Sequence, residues 1–482
     1  MSSIPPNPPR KELEQYVRSL ELDAYVVGGA VRDELLGLDS KDADFLVPAV
    51  DTDELKRRLA PHGRVEDLVV AGRLVGVRLH PRDRAVRSLA RAGIEFAPPR
   101  KEVSTGPGRH DFEIVADASL SVEDDMRRRD FTVNAMAKRL STGELVDPLD
   151  GRADLGRRVL RTVSPQSFAE DPLRLVRALR FVSQLGFDLD EATLKQMREE
   201  APSVELVSAE RIGGGLAADG MGELSKLLLG ARPAKALRIA RDTGVLVHVL
   251  PEFAPAIGFE QESRYHDLTV DEHTFAVVQA AADAHRALVV LLATVFHDLG
   301  KPIVAWRGTD GRLHYYAKPG YSDRSHEQVG AELAGVALRR LRYPNALRER
   351  VCRIVRYHMF QAAKSDGVHA RRFLARHGDE LAFQLCDHKE ADFLGKRGSD
   401  GPPPLEDLEK VARFRRALER ERRQPHRLAD LAVDGRDLIE LGFAPGPELG
   451  RTLQELLRAV VEDPVRNTRP ELLRRAREKL ST

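Results

Sequence analysis

The chain has 482 residues, of which 42% are hydrophobic and 31% charged, and a net charge of +1. That length suits about three or four domains, and the near balance of charge excludes the global basic field of a simple nucleic-acid binder. Its two cysteines, Cys352 and Cys386, argue against a disulfide scaffold and suit a reducing cytoplasm; the polar start SSIPPNPPR has no apolar signal core, and no run approaches the ~20 apolar residues that span a bilayer.

The first ~140 residues mix short strand-like runs (AYVVGG, DADFLV, RLVGVRL, FEIVA) with helical ones. From about residue 145 the pattern is almost wholly helical: PLRLVRALRFVSQLGF and HTFAVVQAAADAHRALVVLLATVFHDLG repeat apolar residues every three or four positions. This predicts an α+β chain, with a small mixed sheet and helices at the N-terminus and a long all-α body behind it. Breaks fall at 251–267 and at 396–407, the second with three consecutive prolines. The expected division is a head over 1–140, a helical neck over 141–255, a further helical domain over 256–398 and a helical tail over 399–482. The acidic SVEDD (121–125) and the basic Arg127–Arg129 run read, taken alone, as solvated helix faces.

Gly28 and Gly29 close a strand-like run and open a helix-like one. Glycines there let a phosphate approach the backbone, and a helix N-terminus offers it free N–H groups. Arg32, one turn on, is placed to reach the same phosphates. Asp42 and Asp44 alternate in a strand, so both carboxylates face one side. Two such charges repel unless a cation lies between them, and hard oxygen ligands suit Mg²⁺. Mg²⁺ at such a site can activate a 3′-hydroxyl and stabilise departing pyrophosphate.

The stretch 26–47 resembles the head of the class II tRNA nucleotidyltransferase and bacterial poly(A) polymerase family, with its Gly-Gly, Arg-Asp and Asp-x-Asp order. Five further segments resemble that family in the same order: IEFAPPRKEVSTGPG (94–108), RRDFTVNAMA (128–137), LVDPLDGRADL (145–155), AEDPLRLVRALRF (169–181) and SAERI (208–212). The resemblance implies that Gly28, Gly29 and Arg32 face the triphosphate and that Arg128, Arg129 and Asp130 hold ribose and phosphates. It also implies that Asp171 and Arg174 hydrogen-bond the Watson–Crick edges of CTP or ATP, a task suited to a carboxylate acceptor and a planar multi-donor guanidinium. Arg177 shares their helix face, whereas Arg180 reads as a solvated stripe residue. Two positions depart from the family pattern: Glu95 stands where Asp is commoner, and Ala43 where a branched residue is. SAERI is followed by a glycine-rich insertion near 213–222 to which no role is assigned.

A second chemical signal lies in the body. VDEHTFAVV supplies His273 and VFHDLGKP supplies His297 and Asp298, side chains suited to borderline divalent metals. His326, His358, Asp387 and Asp392 follow. The order resembles the HD superfamily of metal-dependent phosphohydrolases, which implies a divalent metal on His273, His297, Asp298 and a distal Asp. Asp392 is the choice for that ligand, with Asp387 as the alternative.

The resemblances together imply template-independent addition of CCA to tRNA 3′ ends from CTP and ATP, dependent on Mg²⁺, with an HD phosphatase or phosphodiesterase on the same chain. The rivals are an A-adding enzyme or poly(A) polymerase, and an HD phosphohydrolase whose transferase head is inactive. Residues 101–120 are long enough for the flexible loop that CC-adding relatives lack. The tail (427–476) resembles the family's C-terminal region and is expected to meet tRNA by shape and phosphate contacts. No membrane partner is expected, and the oligomeric state stays open.

Overall fold

The structure, a computed structural model, describes residues 8–38, 44–70, 73–104, 112–214, 221–262, 268–309, 311–362, 366–396 and 405–480. It divides into two compact units. The first runs up to Val249, apart from 213–221 and 228–234; those two segments join Leu250 onward in the second.

The first unit carries β1 (Tyr25–Val27), β2 (Asp44–Leu46), β3 (Gly63–Val70), β4 (Arg73–Pro81), β5 (Ile94–Ala97), β6 (Arg100–Ser104), β7 (Phe112–Ala116), β8 (Ala137–Arg139) and β9 (Leu145–Val146). Seven of them form one sheet in the order β3-β4-β5-β2-β1-β8-β9. Only β2 and β5 pair parallel, so the sheet is mixed, as expected. β1 is all aromatic and β-branched, YVV, and lies in the sheet interior, where every residue is buried. Tyr25, Val27, Leu46, Val122, Met126, Ala135 and Ala137 form its core. The register sets Val27 opposite Asp44, so the end of β1 brings the glycine turn beside that aspartate.

The stretch expected to be a flexible loop carries β6 and β7, paired antiparallel from Arg100↔Ala116 to Ser104↔Phe112. Its tip, 105–111, lies outside the described residues, as do 215–220 of the glycine-rich insertion and 397–404 of the proline-rich break.

In the same unit, the helix Leu173–Leu185 buries Leu175, Val176, Leu179 and Val182 on one face. In the second unit the apolar helix Leu288–Phe296 is buried on every side but its first residue, as an all-round hydrophobic sequence must be. Helices Val270–Asp283, His326–Arg340, Asn345–Tyr357 and Asp379–Gly395 belong to the same unit. The tail builds its own small core from Val433, Leu438, Phe443, Leu456, Val460, Leu472 and Ala476. The body is not wholly helical, since Trp306–Arg307 pairs with Leu313–His314 and Val159–Leu160 with Asp188–Leu189. Among the described residues, no helix is long and apolar enough to cross a membrane.

Candidate active site

Gly28 adopts φ +73°, and a Cβ there would sit 2.4 Å from Nη1 of Arg129. The conformation demands glycine, and any side chain there would also have to displace the guanidinium end of Arg129. The helix Gly29–Leu35 begins at once, and Val31 and Arg32 donate their N–H groups to the Gly28 carbonyl. Arg32 Nη1 donates to Asn134 Oδ1 at 2.6 Å, and Asn134 Nδ2 donates to Asp130 Oδ1 at 2.9 Å. Asp130 Oδ2 accepts from Arg177 Nε at 2.9 Å and Nη2 at 2.6 Å. Burial opposes the Asp130 charge, but Arg177 and the hydrogen bonds from Asn134, Arg177 and Phe131 outweigh it and hold its pKa well below the usual range.

The chain of partners continues to Glu223, which lies 3.7 Å from Arg177 Nη1 and 3.1 Å from Arg180 Nη1. Arg180 is therefore not the solvated stripe residue that its helical spacing suggested. Its guanidinium lies 4.3 Å from the centre of the Phe181 ring. Burial beside Arg177 lowers its pKa to about 10. Asp125, read as part of an exposed acidic run, is fully buried and holds Arg128 at 2.7 Å and Arg129 at 3.2 Å.

On the other side, Asp171 Oδ1 accepts from Leu173 N–H at 3.1 Å and Oδ2 from Arg211 Nη2 at 3.2 Å. Arg174 is buried; Nη1 donates to the Ser167 carbonyl and to Glu170, and Nη2 to the Arg128 carbonyl at 2.8 Å. Of these, Arg32, Arg128, Arg129, Asp130, Asn134, Asp171, Arg174, Arg177, Arg180 and Phe181 line one cleft of about 440 Å³, together with Gly29, Asp44 and Arg100. The structure thus gathers Gly29, Arg32, Asp44, Arg128, Arg129, Asp130, Asp171, Arg174 and Arg177 in one place. Asp42 lies outside the described residues. The Asp44 carboxylate is a hard oxygen donor of the kind that Mg²⁺ takes beside phosphates. Glu95, whose strand position neighbours that of Asp44 through the Phe45↔Phe96 register, is bound by Arg78 across β4 at 2.5 Å.

Sequence reasoning passed over Asn134, Asp125, Glu223 and Arg211 as site residues. Asn134 and Arg211 stand inside quoted segments, and for Asn134 a polar side chain between Val133 and Ala135 was the available signal. Glu223 had none, because its link to Arg177 and Arg180 exists only in three dimensions.

In the second unit, His273 Nε2 lies 3.4 Å from both Asp298 Oδ2 and Asp392 Oδ1, and 3.3 Å from His297 Nε2. The four expected metal-binding side chains therefore converge. Asp387 instead pairs with Arg286 at 2.9 Å and Arg415 at 2.6 Å. Burial opposes both buried charges, yet His297 and Lys301 hold Asp298, and His273 and Lys389 hold Asp392, well below the usual carboxylate range. Burial lowers His326 and His358, and takes His388 down to about 3. His297 moves the other way, because against the pull of burial Asp298 and Asp392 raise its pKa. Imidazole nitrogens and carboxylate oxygens converging on one point are the donors that a divalent metal takes, so the donor set fits one.

Three family models match along the chain. Residues 24–161 match the family model described as "Poly A polymerase head domain" and 186–257 match "Probable RNA and SrmB- binding site of polymerase A". Residues 328–476 match the model for tRNA nucleotidyltransferase domain 2. The multifunctional CCA protein of Methylococcus capsulatus is 33% identical over 460 residues, which span 91% of this chain and 94% of that one. The crystal structure of the Bacillus stearothermophilus CCA-adding enzyme in complex with CTP aligns with a TM-score of 0.67 at 25% identity, over 98% of each chain. The Thermotoga maritima CCA-adding enzyme complexed with tRNA shares the fold, with a TM-score of 0.52 at 20% identity over 98% of this chain and 94% of that one. The head, its arginine-lined cleft and the helices behind it define a tRNA nucleotidyltransferase. The chain belongs to the multifunctional CCA protein family.

Proposed function

We propose that this chain builds the CCA end of tRNA from CTP and ATP. The observation that carries the reading is the single cleft in which phosphate-facing arginines, a strand-end aspartate and the Asp171–Arg174 pair meet. The tRNA 3′-hydroxyl attacks the α-phosphate, the bond to the β-phosphate breaks and pyrophosphate leaves. Arg32, Arg128 and Arg129 offset the triphosphate charge from positions fixed by Asn134 and Asp125. Asp171 accepts from the exocyclic amine that cytosine and adenine share, and Arg174 donates to the neighbouring ring edge. Asp42 and Asp44 would hold Mg²⁺, which supplies neutralisation of the phosphates and acidification of the 3′-hydroxyl when bound. The free cysteines accord with a cytoplasmic setting.

Incubating tRNA transcripts that lack all three terminal nucleotides, or only the last, with each nucleotide tests this. CTP should extend the first and ATP the second, each by the correct number. Exclusive use of ATP, or long tails on unstructured RNA, would sink the reading.

The His–Asp pocket favours a second activity, metal-dependent hydrolysis of phosphoesters. His273, His297, Asp298 and Asp392 would hold a divalent ion, which supplies an activated water when bound. Hydrolysis of a chromogenic phosphodiester by the full chain, lost in Asp298→Asn, tests it; absence of turnover across Mn²⁺, Co²⁺, Ni²⁺ and Mg²⁺ would refute it.

A further inference from the structure

A second cavity, of about 430 Å³, opens in the second unit between the helices Asn345–Tyr357 and Gly367–His377, with Met359, Phe360 and Gln361 also on its lining. None of its lining side chains belongs to the head cleft or to the metal-binding set of the His–Asp pocket. Its size falls in the range of about 300–1,000 Å³ that small-ligand sites occupy.

One wall is aromatic. The ring of Phe373 lies 5.1 Å from that of Phe360 and 4.4 Å from that of His377, and His377 lies 4.8 Å from Tyr357. The fully buried Phe414 backs this wall, 5.8 Å from Phe360 and 5.1 Å from Phe373. Arg353 Nη2 donates to the His377 carbonyl at 3.3 Å and so ties the two helices together. Phe360 and Tyr357 are half-buried, so each keeps an open part of its ring. Rings held in this way offer π-faces on which any nucleobase stacks.

The polar groups converge on the same space. His377 is buried, and its Nδ1 has no hydrogen-bond partner among the described residues. Burial, with Arg376 and Arg353 beside it, lowers its pKa to about 4, so the ring is neutral and can exchange a hydrogen bond with a base edge. Three arginines, Arg356, Arg372 and Arg376, line the cavity, and among the described residues no carboxylate does. Glu462 holds Arg372 at 2.6 and 2.7 Å. Arg356 and Arg376 are exposed, and the Arg376 guanidinium lies 5.5 Å from the centre of the Tyr357 ring, so cation and stacking surface adjoin. A planar aromatic base that carries a phosphate complements all three features: the wall, the unpartnered nitrogen and the cationic rim.

We propose that this cavity is a second nucleotide site, which stacks one base on Tyr357 and Phe360 and sets its phosphate between Arg356 and Arg376. A free mononucleotide and an unpaired nucleotide of the tRNA present the same chemistry to it.

The probe is 8-azidoadenosine 5′-monophosphate, photolysed with the full chain in EDTA, with the adducts mapped by peptide mass spectrometry. Labelling is expected on Tyr357, Phe360 or His377. Arg356→Glu with Arg376→Glu should cut that labelling about tenfold or more, since each charge-assisted contact to the phosphate is lost. Thermal unfolding at the wild-type temperature would show that the variant keeps its fold. In the unaltered chain, adducts absent from residues 356–377, or labelling by 8-azidoadenosine as strong as by its monophosphate, would overturn the proposal whether or not the variant folds. Competitors then separate the two sources. Displacement of the label by micromolar tRNA transcript assigns the site to the RNA, and displacement by AMP alone assigns it to a free mononucleotide.

Discussion

Asp130 accepts hydrogen bonds from Phe131 N–H, Asn134 and both Nε and Nη2 of Arg177. It therefore fixes two sides of the cleft at once, since Asn134 in turn anchors Arg32. Asp130→Asn leaves Arg177 with the more distant Glu223, 3.7 Å from Nη1, as counter-charge, and breaking one partner of a buried pair costs up to about 3–5 kcal/mol. The pH dependence follows from the direction of its shift. The folded pKa lies below the unfolded value of about 3.9, so the pair stabilises the fold at every pH above that value. That contribution fades as pH falls from there toward the folded pKa. Denaturant unfolding of wild type and Asp130→Asn should show a constant difference from about pH 5 to 8 that narrows below about pH 4. A difference that widens in acid would reject this account. The same substitution should raise the KM for CTP and ATP together, because it loosens the arginines proposed to face the triphosphate and not the pair proposed to read the base. The neighbouring Arg180 marks where reading by residue type fails. Its i+3 spacing from Arg177 is that of a solvated stripe, but Glu223 comes 43 residues later and no local pattern announces it.

At the scale of elements, what periodicity conveys is a shared face. Asp171, Arg174 and Arg177 were legible because one short stretch carries all three. So was the glycine turn, because strand, turn and helix follow each other directly. The His–Asp pocket was legible only in part: its side chains come from several separate elements, and Asp387 and Asp392 look alike along one helix. Arg286 and Arg415, far away in the chain, engage Asp387 and leave Asp392 to the pocket. The approach of those elements depends on Gly300, where a Cβ would lie 2.2 Å from the His326 carbonyl. Gly300→Ala must push back the first turn of the helix His326–Arg340 and with it His326. Overpacking of this sort costs about 1–3 kcal/mol. The variant should melt lower than wild type and bind Mn²⁺ more weakly, as thermal unfolding and equilibrium dialysis would read. Unchanged melting and binding would mean that the helix start yields without cost.

The two units gather different side chains, arginines and carboxylates in the cleft of the first and imidazoles and carboxylates in the second. Asp42→Ala with Asp44→Ala should abolish nucleotide addition and leave phosphodiester turnover at the wild-type rate; loss of both would mean that the units share a site. Charge is divided in the same uneven way. The chain as a whole carries only +1, yet the head cleft sets Arg32, Arg100, Arg128, Arg129, Arg174, Arg177 and Arg180 against Asp44, Asp130 and Asp171. Binding of a polyanion answers to that local excess and not to the net charge, because counterions are released only where phosphates are neutralised. A protein that neutralises about six phosphates loses roughly 10³-fold in affinity between 50 and 200 mM salt. Fluorescence anisotropy of a labelled tRNA across a potassium chloride series should give a steep linear fall of log affinity with log salt. If Arg128 neutralises a phosphate at the tRNA 3′ end as well as the triphosphate, replacing it with Ala should make that slope shallower by about one unit. A flat slope in the wild-type chain would show that tRNA is held by shape and stacking alone, and that the arginines of the cleft serve the triphosphate only.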